Sequence, residues 1–126
     1  MKHTYELFSG EELVIAELIQ QRRLQMLVHS CLYYELDNNL ISDKQWSDWA
    51  IELRDLQLKY PDISTQVIWY DEFKDWDGTS GAFLPLRNEW VMQKAHKLMI
   101  LCKQFRETKV VNKPQNIVKK KSNALF

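Results

Sequence analysis

The chain has 126 residues, 45% apolar and 27% charged, with a formal net charge of zero. A chain of this length buries enough surface for one domain without disulfides or a structural metal, and its neutrality argues against a general nucleic-acid binder. No apolar leader opens the sequence and no run of about 18 apolar residues occurs, so the expected setting is cytoplasmic, with no membrane partner.

Ser9 and Glu12 form an S-x-x-E pattern ahead of an apolar run, which predicts a capped helix continuing to about Leu36. Ile15, Leu18, Ile19, Met26, His29, Tyr33 and Leu36 mark one apolar face. Leu13, Ala16, Leu24, Leu27, Cys31 and Tyr34 form a strip beside it, wide enough to face two partners. The polar interruption "QQRR" at 20–23 is expected to face solvent. "DNN" at 37–39 stops the helix, because Asn accepts the left-handed conformation. Ser42 then caps a second helix, with Gln45 three residues on, and Trp46, Trp49, Ala50, Leu53 and Leu56 form its inner face. "KYPD" at 59–62 ends it, since the residue before proline is pushed out of helix.

From Ser64 to Pro85 the pattern changes. "TQVIWY" has strand-like β-branched and aromatic content, and "DGTSG" suits the turn of a hairpin or long loop. Asn88 caps a third helix to about Arg106, with Trp90, Val91, Ala95, Leu98, Met99, Cys102 and Phe105 inward. The expected fold is mainly α, with residues 1–108 as one helical domain. A hairpin over about 9–63 packs on the third helix at 86–106, with the 64–85 excursion between and a basic tail at 109–126. From Glu107 on, five lysines against one glutamate give +4, leaving −4 for the first 106 residues. Cys31 and Cys102 sit in apolar helical patterns and read as buried free thiols; no pattern of metal ligands is present.

"YYELDNNLISDKQW" and the following "ELRDLQLKYPDI" resemble the N-terminal helical domain of bacterial NAD-dependent DNA ligases. Tyr33, Tyr34, Asp37, Ile41, Ser42, Asp43, Trp46, Glu52, Leu53, Leu56 and Pro61 fall at matching positions without a gap, over roughly His29 to Ile63. In those ligases this domain clamps the nicotinamide mononucleotide half of NAD. The resemblance implies that Tyr33 packs at the nicotinamide, Asp43 hydrogen-bonds the nucleotide, and Trp46 takes the place of the stacking tyrosine. Tyr34 takes the neighbouring position, and His29 lies one turn before Tyr33. Two positions depart from the pattern: the second aspartate is Ser47 and the proline of the turn is Asn39. The physics agrees with such a role, since an oxidised nicotinamide is a flat cation and tryptophan offers the best ring face for one. The same residues also suit the core of a plain helical corner, with Asp43 favoured by the helix dipole. Both readings stay open at the level of sequence.

"KDWDG" at 74–78 has one residue too many for the ligase K-x-D-G motif, whose lysine takes the adenylate. A nucleophile without groups positioned around it does no chemistry, so no enzymatic activity is expected. The expected ligand is instead NMN or NAD, or an NAD-derived signal. Small free-standing ligase-related proteins of phages offer the nearest parallel. The alternative is a phage protein–protein module that inhibits a host enzyme or defence system. Its anchors would be Trp69, Tyr70, Phe73, Asp75, Trp76 and Asp77, since Trp and Tyr dominate binding hot spots.

Overall fold

The computed structural model describes residues 7–112, with side-chain burial for 7–107; most of the expected basic tail at 109–126 lies outside that range. Among the described residues the helices that follow in order are α1 (Gly10–Tyr34), α2 (Asp43–Lys59), α3 (Pro61–Gln66), α4 (Tyr70–Phe73) and α5 (Glu89–Asn112). The architecture is mainly α, and no strand occurs among the described residues. α1 is the central element, packed against α2 on one side and α5 on another. Its wide apolar surface explains this position: every residue from Gln25 to Leu32 is buried, polar ones included. One core cluster joins Ile19, Met26, Leu27 and Leu32 of α1 with Leu53 of α2, Phe73 of α4 and Val91 and Ala95 of α5.

The helix ends follow local chemistry in two of three cases. Ser42 Oγ accepts the Gln45 backbone N–H at 3.0 Å, opening α2 as expected. Asn88 Oδ1 accepts from the N–H groups of Trp90 and Val91 at 2.9 and 3.2 Å, opening α5. At α1 the expected capping box does not form: Ser9 makes no side-chain cap bond, and Gly10 starts the helix at φ +61°. α1 stops at Tyr34, and the left-handed residue of the corner is Asp37 (φ 48°) rather than an asparagine. Asn38 N–H then bonds back to Leu32 O at 2.8 Å, which folds the corner under α1.

"QQRR" does not face solvent as a block. Arg23 is fully buried, and all of its guanidinium nitrogens are engaged. Nε donates to Gln57 Oε1 at 2.9 Å. Nη1 donates to the carbonyls of Val67 (2.9 Å) and Ile68 (3.0 Å), and Nη2 to Ser64 O (3.1 Å) and Ser64 Oγ (2.7 Å). Burial pulls its pKa down to about 10, against the favourable fields of Tyr70 and Glu72, so it remains charged at neutral pH. Arg22 turns to Glu52 (3.1 Å) and lies over the Trp49 ring at 5.5 Å.

The expected strand at "TQVIWY" is likewise absent. Thr65 and Gln66 complete α3, Val67 is extended, and Trp69 adopts φ 72°. A strand requires a partner edge for its carbonyls. Here those of Ser64, Val67 and Ile68 converge on Arg23, and the left-handed Trp69 reverses the chain around it. Arg23→Met removes every donor and leaves buried carbonyls unsatisfied, so urea unfolding should show a loss of about 3–5 kcal/mol. Arg22→Met, which breaks the partly exposed pair with Glu52 and the 2.7 Å bond to the buried Gln25, should cost less, about 1–2 kcal/mol, in the same assay.

Candidate functional site

The corner between α1 and α2 opens into a cleft of about 300 Å³. The last turns of α1 supply His29, Ser30, Tyr33 and Tyr34. The corner itself supplies Asn38, Asn39, Leu40 and Ile41, and the start of α2 supplies Ser42, Asp43, Trp46 and Ser47. Thr79 and Ser80 close the rim from the loop ahead of α5. The five residues that the sequence marks as ligand-binding, His29, Tyr33, Tyr34, Asp43 and Trp46, thus all line one cleft. Helical spacing accounts for this: His29 and Tyr33 lie one turn apart on α1, as do Asp43 and Trp46 on α2.

The ring positions are fixed from behind. Trp46 Nε1 donates to Ser30 Oγ at 3.4 Å, a long bond that ties α2 to α1 at the floor of the cleft. Behind Trp46 stands Trp76, 6.1 Å between ring centroids, which contacts Phe73 at 5.1 Å and Phe83 at 6.0 Å. Tyr33 and Tyr34 meet edge to face at 4.9 Å and remain about half exposed. His29, 5% exposed, leans its ring on Trp49 at 5.7 Å. Asp43 lies exposed in the first turn of α2, and Lys44 beside it pairs with Asp48 at 2.7 Å.

Sequence reasoning missed the rim. Thr79 and Ser80 reach the cleft only because the loop is pinned at several points. Trp76 Nε1 donates to Ala50 O at 2.9 Å. Gly78, at φ +81°, passes so close to α2 that a Cβ would lie 3.1 Å from Ala50 O. Asp77 Oδ1 accepts from Thr79 N–H (3.0 Å) and Thr79 Oγ1 (2.7 Å). A Cβ on Gly81 would overlap Ser30 Oγ. Across the mouth the hydroxyls of Tyr34 and Ser80 stand 3.5 Å apart. Gly78 and Gly81 were the available signal, marking close backbone approach as well as a turn.

The partner-docking set fares differently. Phe73 is fully buried and Trp76 is 5% exposed, so both belong to the core and offer no anchor to a partner. Trp69 and Tyr70 are half-buried, with Trp69 6.3 Å from Trp90 and Arg23 6.0 Å over Tyr70. Asp77 builds the turn just described, and Asp75 is exposed. The expected β-hairpin at "DGTSG" is a turn without flanking strands, because Phe73, Trp76, Leu84 and Leu86 all turn inward and leave no ladder to form. Cys31 is buried, with Sγ 3.7 Å from Met92 Sδ, and Cys102 is half-buried. Desolvation raises both thiol pKa values above the ordinary range.

Comparison with protein-family models, with curated proteins and with solved structures finds no match to this chain.

Two outcomes follow for the rim. Gly81→Ala should cost about 1–3 kcal/mol in thermal unfolding, because the loop must lift off Ser30. The bonds from Thr79 hold the Asp77 pKa below its ordinary 3.8. The turn's stabilisation is therefore present above that value and is lost as pH falls through the depressed one. Hydrogen exchange at the Thr79 amide should speed up over that acid window beyond the intrinsic rate, and Asp77→Ala should abolish the pH dependence.

Proposed function

We propose that the chain is a non-catalytic binding protein, related to the nicotinamide-mononucleotide-binding domain of NAD-dependent DNA ligases. Its ligand is a nicotinamide nucleotide or an NAD-derived signal, held in the α1–α2 cleft. One observation carries the reading: the residues singled out by the ligase-like pattern meet in a single cavity of ligand size. That pattern alone required no cavity, since a helical corner with the same rings packed inward satisfies it equally.

The chemistry of recognition follows from the side chains. Trp46 supplies a ring face for a flat cation, worth about 0.5–2 kcal/mol. Asp43 supplies an acceptor for a carboxamide NH₂. Tyr33 and Tyr34, already half exposed, gain apolar contact when a ring covers them. Ser42, Ser47, Thr79 and Ser80 offer hydroxyls to a ribose. Because Trp46 is braced by Ser30 and Trp76, little ordering accompanies binding.

Isothermal titration calorimetry with nicotinamide mononucleotide and with NAD tests this directly. Binding is expected, with Trp46→Ala weakening it about tenfold or more, equal to about 1.4 kcal/mol. Absence of both heat and thermal shift at millimolar ligand removes the reading.

A further inference from the structure

The charge of the cleft says more than its shape. Among its described lining residues Asp43 is the one carboxylate, and none is lysine or arginine. The nearest cation along the chain, Lys44, is taken by Asp48 at 2.7 Å, and Arg87 pairs with Glu35 at 3.3 Å. Asn38, Asn39, Ser42, Ser47, Thr79 and Ser80 are neutral donors and acceptors, and the one imidazole in the wall, His29, is 5% exposed and leans on Trp49. Position 47, where a second carboxylate would stand in the ligase pattern, holds a serine and lines the cleft.

A phosphate has one feature in its favour, the N-terminus of α2, which opens at the cleft. Asp43 occupies that first turn. Its carboxylate already meets the positive end of the helix dipole and repels a second anion there. The first free donors of α2 therefore lie beside a negative charge, not beside a guanidinium or ammonium.

Resting on the reading above, we propose that the cleft selects a flat heteroaromatic monocation bearing neutral hydroxyls, a pyridinium nucleoside, over its phosphorylated forms. One negative charge in the wall matches one positive charge in the ligand. Oxidised nicotinamide riboside carries a single positive charge. The mononucleotide adds a phosphate that reverses the net charge, and the dihydroriboside is neutral. The cavity volume of about 300 Å³ suits a ligand of nucleoside size and leaves a dinucleotide largely outside.

The test is calorimetry of the full chain at low and moderate salt with three probes: nicotinamide riboside, nicotinamide mononucleotide and dihydronicotinamide riboside. The riboside should bind at least threefold tighter than the mononucleotide, with the gap narrowing as salt rises. The dihydroriboside should bind at least tenfold weaker than the riboside. Asp43→Asn, an exposed change that spares the fold, should erase the preference for the cationic ring, and Asp43→Glu should restore part of it. Tighter binding of the mononucleotide, or equal binding of oxidised and reduced riboside, overturns the selectivity and leaves the nicotinamide reading standing. Binding of none of the three overturns both.

Discussion

A buried guanidinium organises this fold. Removing a charge from water costs several kcal/mol, and that cost is offset only when every donor finds an acceptor. Arg23 meets this condition with acceptors from three places: Gln57 on α2, Ser64 on α3, and the backbone of Val67 and Ile68. Gln57 passes the connection on, donating Nε2 to Phe73 O at 2.9 Å. The acceptors around Arg23 are amide, carbonyl and hydroxyl oxygens, with Glu72 contributing only a favourable field, so the network is held mainly by shape and backbone position. It fixes where the chain from residue 64 to 73 must lie.

The cleft depends on that placement. Once Phe73 is set, Trp76 packs on it and bonds to Ala50 O, which holds the following turn against α2. Gly78 and Gly81 let the loop come close enough for Thr79 and Ser80 to form a rim. Phe73 and Trp76 are thus internal supports of the cleft. Trp76 braces Trp46 from behind, and the two rings belong to one layer reaching from the core to the cleft floor.

The cleft leaves Tyr33 and Tyr34 about half exposed, directly after the buried stretch of α1 from Gln25 to Leu32. They stand at an open mouth, beside the Asp43 carboxylate and a row of hydroxyls. The rings, the acceptor and the rim come from three separate stretches of chain, so the site exists only in the folded state.

Local chemistry determined much of this in advance. Helical periodicity, the caps at Ser42 and Asn88, and the proline at 61 place the helices, because these signals act within one or two turns of chain. The same local spacing puts His29 near Tyr33 and Asp43 near Trp46, so these cleft-lining neighbours were legible from residue order alone. Arg23 was not: an arginine in "QQRR" is solvent-facing by type, and only distant acceptors make burial tolerable. Phe73 and Trp76 were misread for the matching reason, since an acidic, glycine-containing segment looks like a surface loop whichever way its rings point. Sequence decides what can be settled by neighbours three or four residues away. Tertiary structure decided which polar groups are buried, which rings are core, and which loop closes the cleft, because each of those depends on partners tens of residues distant.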